Sequence, residues 1–518
     1  MLLLRFLIIV LSLGLSLAPA APVGAQELER RPVDEPLYGL SSVVPADWQD
    51  LGSGIYVRGT SPADPALIAI QSAAATIDQL WPRLLPQLAL TDVPATTETY
   101  SSERLDWDLY RVDVPRGETT IAAELALAED SGTSYVVLMH ADPAEFEVLR
   151  QQVLLPALDA LAPLAPEPTP DPSTFDYQIE EVTFPGGADD VTLAGTLTLP
   201  RGPGPHPVVV TMSGSGPQDR DESMRPLTAL KPFAVLADAL TSHGVGVLRY
   251  DDRGVGSSTG DYGSATIEDL AEDARAAIDY LETRADVDPS RIGLLGHSEG
   301  GLYAAMLGAS DPRVAFIGMM APAVIDGVDL IVQQDMDLVR SGGGTDEQVE
   351  AIGAYARQAM PLALEQDFDA LEALTREFYG SIWDSLTEAE QVVSGDRETF
   401  AQRQVEALMP TYESDWYRSF LAYDPGPDWE QVTVPVLALF GGKDVQVDAA
   451  TNEAALLADL EVAGNDDVTT MVLPDANHLF QEAGTGAMSE YMKLDPVFVD
   501  GFVDTVVDWF VERAGVEG

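Results

Sequence analysis

From residue 177 onward, short apolar runs alternate with longer stretches of helical period. The runs at Tyr177–Phe184, Val191–Leu199, Val208–Met212, Val245–Tyr250, Ile292–Leu295, Val314–Met320, Val434–Phe440 and Val468–Leu473 have the length and composition of strands. Segments such as "PLTALKPFAVLADALTSHG" and "IEDLAEDARAAIDYLETRA" lie between them, with apolar residues three and four apart as amphipathic helices require. Two opening strands followed by alternating strand and helix predict an α/β fold, a mostly parallel sheet covered by helices on both faces. One interval breaks the rhythm. Roughly 110 residues separate the runs ending at Met320 and starting at Val434, far more than a loop between neighbouring strands needs. That interval is helix-patterned ("TDEQVEAIGAYARQAM", "FDALEALTREFYGSIWDSL"), which predicts a helical cap inserted at about 323–430.

The first third of the chain reads differently. Residues 26–160 predict a small α+β unit: a strand at Gly54–Gly59, an apolar helix over Pro65–Leu88, strands at Asp106–Val114 and Ser134–His140, and a helix over Pro143–Leu161. The Pro/Ala-rich stretch 161–174 predicts a semi-rigid linker to a second domain, 175–518. At the start, the apolar run Phe6–Leu17 has one charge beside it, Arg5, and small residues follow at Val23–Ala25. Residues 1–25 therefore predict a secretory signal peptide and a secreted or extracytoplasmic protein; left uncleaved, the segment would anchor the chain to a membrane.

Composition narrows the function classes. Hydrophobic residues make up 46% of the 518, and mean hydropathy is +0.02, ordinary values for a chain with full cores. Charge is not ordinary. Twenty-eight basic residues face 85 acidic ones, a net charge of −57, and the only lysines are Lys231, Lys443 and Lys493. Such a surface repels nucleic acid and anionic lipid, so neither is an expected partner. It suits a saline habitat and an acidic extracellular protein equally. With no cysteine there is no disulfide, thiolate metal site or cysteine nucleophile. Five histidines without an H-E-x-x-H pattern predict no metal and no cofactor.

The candidate chemistry starts at "RIGLLGHSEGG" (291–301), where an apolar strand runs into a glycine-flanked serine and then a helix. A serine thrust out of a tight strand-to-helix turn, with no side-chain bulk two residues before and after it, is a nucleophile elbow, and Ser298 is the candidate nucleophile. The helix start offers the backbone N–H of Glu299 to a developing oxyanion. A serine needs a base. His140, His206 and His243 precede the serine, and His297 adjoins it and reads as a packing residue, which leaves His478 in "LPDANHLFQ". An acid is needed between them at a strand end, and "VPVLALFGGKDVQVD" offers Asp444, with Asp448 as the alternative. The second oxyanion donor is expected after an earlier strand, in "VVVTMSGSGPQDRD", with the backbone N–H of Ser215 preferred. Asp252 and Arg253 read as a pair bracing a neighbouring loop. Trp416, Phe420 and Tyr423, near the return from the cap, are candidate walls of an apolar substrate pocket.

The segments "SGSGPQDRDE", "YDDRGVGSS", "GHSEGG", "WYRSFLAYDP", "GGKDVQV" and "NHLFQ", in that order, resemble a group of bacterial α/β-hydrolase-fold carboxylesterases, nearest by motif to the EstD-type esterases. Related members are prolyl-oligopeptidase-like or aminopeptidase-like serine hydrolases. The resemblance covers about 175–518. It implies an α/β-hydrolase fold, with Ser298 as nucleophile, Asp444 as acid and His478 as base. It also implies metal-free hydrolysis of short-chain acyl esters, small molecules, through an acyl-enzyme. Two other readings stand beside it: a serine exopeptidase, and a binding protein that keeps the fold without the reaction. The N-terminal unit is too short for the propeller of a prolyl oligopeptidase, and the sequence does not fix the oligomeric state.

Overall fold

Strand alternation decides which side chains meet which layer, and the computed structural model resolves this for residues 28–516. Outside the described residues are 36–37, 53, 59–63, 65, 74, 89, 91, 117–118, 131, 165–174, 225–226, 387–390 and 392–393. The expected signal peptide, 1–25, and most of the expected linker therefore lie outside the described residues.

The N-terminal strands are β1 (Arg30–Glu35), β2 (Leu40–Pro45), β3 (Gln49–Gly52), β4 (Ile55–Val57), β5 (Leu67–Ala73), β6 (Glu98–Ser101), β7 (Asp106–Arg116), β8 (Thr119–Asp130), β9 (Thr133–Ala141) and β10 (Ala162–Pro163). They form an antiparallel sheet in the order β3-β4-β5-β9-β8-β7-β6 and a smaller one, β1-β2-β10. Ala162–Pro163, inside the expected linker, thus pairs with β2. The single helix expected over Pro65–Leu88 divides into β5 and a helix at Ile77–Gln87. Leu67 to Ile70 are buried at every position, between β4 and β9, and an unbroken apolar run has no period by which a helix and a two-faced strand differ.

The second region supplies β11 (Tyr177–Pro185), β12 (Thr192–Pro200), β13 (His206–Met212), β14 (Gly246–Tyr250), β15 (Val287–His297), β16 (Val314–Met320), β17 (Val436–Gly441) and β18 (Val468–Leu473). Their order in the sheet is β11-β12-β14-β13-β15-β16-β17-β18. The pairings of β12 are antiparallel and all those from β14 to β18 are parallel, as the strand-helix alternation requires. Period two sorts the side chains. Val208, Val210, Ile292, Leu294, Ile317 and Met319 pack against the helices Ile267–Glu282 and Gly300–Ser310. Val209, Val247, Leu295, Phe316 and Leu439 pack against Pro232–Ser242 and Phe502–Arg513 on the other face.

Between β16 and β17 the chain forms the expected helical cap, with helices at Gly327–Ser341, Asp346–Leu364, Phe368–Ser385, Arg397–Tyr412 and Asp415–Ala422. Their starts are chemically marked. Thr345 and Gln348 form a reciprocal capping box, and Asp326, Asp367, Asp396 and Ser414 each accept a backbone N–H of the first turn. Trp416, Phe420, Tyr355 and Met360 continue the apolar cluster of the sheet, so the cap shares a core with it. Among the described residues no helix is long and apolar enough to cross a membrane.

One buried carboxyl in the N-terminal unit predicts a pH effect. Glu35 ends β1, is buried, and accepts the hydroxyl of Tyr56. Burial raises its pKa, the Tyr56 hydrogen bond opposes this and Asp50 adds to it, leaving the group pushed up to about 7. A carboxyl raised on folding favours the folded state fully below its ordinary 4.5, and that contribution is lost as pH rises through about 7. Glu35→Gln, which cannot ionise, should therefore gain stability relative to the parent between pH 4.5 and pH 8. Unfolding midpoints of both full-length chains at the two pH values check this; a difference that does not change with pH contradicts it.

Candidate active site

The turn after β15 is closed by backbone rather than side chains. A Cβ on Gly296 would overlap the carbonyl of Gly300, and one on Gly300 would overlap the carbonyl oxygen of Met212 at the end of β13. Only glycine permits the helix Gly300–Ser310 to start so close to the strand. Between them Ser298 is held at φ +53, in the left-handed region that non-glycine residues avoid. Its N–H donates to Met320 O at 2.9 Å, and its carbonyl accepts from Gly301 N at 2.9 Å. The side chain is half-buried at the carboxyl end of the parallel strands, where sites of open α/β sheets lie.

Asp444 and His478 meet at the same end of the sheet. Three residues past β17, the buried Asp444 carboxylate accepts from Gln446 N at 2.7 Å and Val447 N at 3.0 Å through Oδ1. Its Oδ2 lies 2.7 Å from His478 Nδ1, which fixes the ring with Nε2 free of the acid. The glycine pair before Asp444 again permits close approach, since a Cβ on Gly441 would lie 2.6 Å from the carbonyl oxygens of both Ala476 and Asn477. The His478 loop is braced from within, with Asn477 Oδ1 accepting from Leu479 N at 3.0 Å and Gln481 N at 2.9 Å. The alternative acid, Asp448, does something else: it caps the helix Ala449–Ala463 through Thr451 N at 2.8 Å. Among the described residues no hydrogen bond yet joins the Ser298 hydroxyl to the His478 ring. In unliganded sites such contacts often tighten only with substrate.

The turn after β13 borders Ser298, since a Cβ on Gly214 would lie 3.3 Å from the Ser298 Cβ. Its donors are almost all occupied. Gly214 N donates to Glu222 Oε1 at 2.9 Å, Gly216 N to Tyr262 Oη at 3.0 Å, and Gln218 N to Asp252 Oδ2 at 2.9 Å. The N–H of Ser215 meets no acceptor among the described residues, and neither does that of Glu299 at the helix start. These are the two donors expected from the sequence.

Two buried side chains beside the serine were less legible. The Glu299 carboxylate is fully buried and accepts from Tyr262 Oη at 3.2 Å, Trp416 Nε1 at 2.9 Å and the Tyr303 hydroxyl. His297, expected as a packing residue, is fully buried but polar in its contacts, with Nδ1 2.7 Å from Glu222 Oε1 and Nε2 3.1 Å from His478 O. Of the expected wall residues, Trp416 reaches the site through Glu299. Phe420 packs behind it with ring centroids 6.3 Å apart, and Tyr423 turns its hydroxyl to Asp428. The expected Asp252–Arg253 pair does not form. Arg253 binds Asp273 at 2.7 Å, whereas Asp252 takes the Ser213 hydroxyl at 3.0 Å, because adjacent residues leaving a strand point to opposite sides. Burial, with Glu299 and Asp273 adding to it, raises Asp252 well above the usual carboxylate range against its hydrogen bonds from Gln218 and Ser213.

Residues 228–489, just over half of the chain, match the alpha/beta hydrolase family. Esterase EstD of Thermotoga maritima is 28% identical over 344 residues, which is 66% of this chain and 69% of that protein. Putative hydrolase YtaP of Bacillus subtilis is 35% identical over 125 residues, 21% of this chain and 42% of that protein. Among solved structures, the Pyrococcus furiosus esterase Pf2001 superposes with a TM-score of 0.41 at 16% identity, over 66% of this chain and 93% of that one. On the match that spans half its length, with strand order and helical faces as described, the chain belongs to the alpha/beta hydrolase family.

Proposed function

We propose that the protein is a serine carboxylesterase that cleaves short-chain acyl esters through an acyl-enzyme, and that its N-terminal segment exports it from the cytoplasm. The observation that carries the reading is the convergence of three strand ends. Ser298 follows β15 at a strained elbow, and Asp444 and His478, after β17 and β18, are joined at 2.7 Å. The similarity to esterase EstD supports the ester as substrate.

In this reading Ser298 Oγ attacks the acyl carbon while His478 Nε2 takes its proton. Asp444 holds Nδ1–H and stabilises the imidazolium that forms. The tetrahedral oxyanion faces the N–H groups of Ser215 and Glu299, whose lack of protein acceptors leaves them available without reorganisation. His478 then protonates the departing alcohol, and water attacks the acyl group by the same route in reverse. Trp416, held on Glu299, forms the wall nearest the acyl chain. An ester assay on short- and long-chain acyl esters, with mass-spectrometric mapping of a serine-reactive label, tests the reading; a label elsewhere than Ser298 sinks it.

Ser298→Ala and His478→Ala should each lower kcat by about 10⁴-fold or more with the unfolding midpoint retained. Asp444→Asn should be severe and Asp448→Asn mild; the reverse order would move the acid to Asp448. Trp416→Ala should extend activity toward longer acyl chains. An unchanged chain-length profile with a lowered midpoint would assign Trp416 to cap packing alone.

The net charge adds a salt effect. Arg220, Arg249 and Arg253 are each held by carboxylates, so none offsets the acidic field of the chain near the site. At about 0.1 M salt the Debye length is about 10 Å, and added salt should raise kcat/KM for a carboxylate-bearing ester more than for its neutral match. A preference for the anionic ester at low salt contradicts this.

A further inference from the structure

His297 precedes Ser298, and its contacts reach the two other segments of the site. Its Nδ1 lies 2.7 Å from Glu222 Oε1, its Nε2 3.1 Å from the backbone oxygen of His478, and the same Glu222 oxygen accepts Gly214 N–H at 2.9 Å. One buried pair therefore ties together the turn that carries Ser215, the elbow that carries Ser298 and the loop that carries His478. The chemistry of these atoms restricts the proton. A carbonyl oxygen only accepts, so Nε2 must carry hydrogen to bond His478 O. Glu222 Oε1 already accepts from an amide, so Nδ1 bonds it best as a second donor. Both ring nitrogens then hold hydrogen.

We propose that His297 is an imidazolium paired with ionised Glu222, and that this pair is a positioning device holding the oxyanion turn and the His478 loop in register with Ser298. The proposal rests on the reading of Ser298 and His478 given above. Both side chains are fully buried, so a charge on either one is tolerated only with the other as its partner. Glu222 is itself held at φ +56, a strained backbone that persists where neighbouring bonds over-determine it. The groups facing His297 are Glu222, the His478 ring with centroids 4.8 Å away, and the Asp444 charge behind it. Burial lowers the His297 pKa, but the Glu222 charge and hydrogen bond, the His478 carbonyl and Asp444 outweigh it, leaving the group above the ordinary 6.5. A group raised in this way contributes its stabilisation fully below 6.5 and loses it as pH rises through the folded value. Loss of the proton leaves a lone pair facing the His478 carbonyl or the Glu222 carboxylate, and the loop is no longer held.

The first measurement reads the proton directly. Nitrogen-15 NMR of the histidine-labelled full-length chain at pH 6.5 should show, beside any ordinary imidazoles in exchange, a ring with both nitrogens fully protonated, and that signal should be absent from His297→Gln. A His297 ring with a single protonated nitrogen at that pH overturns the proposal. Glu222→Gln keeps the volume but removes the charge that retains the proton. It should lower kcat about 10²-fold, the scale of an ångström-level misplacement, with KM little changed, and shift the alkaline fall in kcat to lower pH. An unchanged kcat and pH profile in a folded Glu222→Gln also overturns it. The two readings fail separately: an active Ser298→Ala with an intact imidazolium signal removes the esterase assignment alone, whereas an inactive Ser298→Ala with a neutral His297 removes this one alone.

Discussion

The contact on which the site depends is backbone against backbone, where the helix after Ser298 begins directly on the end of β13. Without side chains at Gly296 and Gly300, that helix start sits against the Met212 carbonyl, and Met212 is the last residue before the turn with Ser215. The distance between the elbow and the turn that carries Ser215 is therefore set by main-chain van der Waals radii rather than by mobile side chains. Gly441 repeats the device one layer along, pressing the Asp444 loop onto the carbonyls of Ala476 and Asn477 beside His478. Strain collects around these contacts. Among the described residues five non-glycines have positive φ, and four of them (Ser298, Glu222, Ala321 and Phe480) border the site. Each such residue costs about 1–3 kcal/mol and persists only where the surrounding packing leaves no alternative.

How much of this was legible in the sequence follows from what each feature depends on. The parallel strands were visible because a strand buried on both faces must be apolar along its length, and β16 falls on its predicted residues. Ser298 and His478 were reachable because a tight turn demands glycine at fixed spacing and because the chain has few histidines. Asp448 competed with Asp444 in sequence, and their contacts tell them apart: one carboxylate caps the helix that follows and the other meets a histidine. The missing pieces are partners distant in sequence. Nothing local joins His297 to Glu222, 75 residues away, or Glu299 to Trp416, 117 residues away. In the N-terminal sheet β8, rich in alanine, leucine and glutamate, carries little strand signal of its own and is a strand because β7 and β9 pair with it on either side.

The proposed reaction passes through an oxyanion and needs a locally favourable potential, yet the chain carries −57 and buries three carboxylates, Glu222, Glu299 and Asp252, near the elbow. Each of the three is compensated in its own way. Glu222 has the His297 ring at 2.7 Å and an amide donor. Glu299 collects two tyrosine hydroxyls and an indole N–H on one oxygen. Asp252 is driven toward its neutral form by burial and by the charges of Glu299 and Asp273. These contacts leave the space above Ser298 to the N–H groups of Ser215 and Glu299, which meet no acceptor among the described residues. Compensation also explains why aromatic hydroxyls and an indole, rather than arginines, surround Glu299. A cation there would attract the oxyanion directly but would also draw anionic substrates and products into the pocket, whereas neutral donors hold the carboxylate without adding charge.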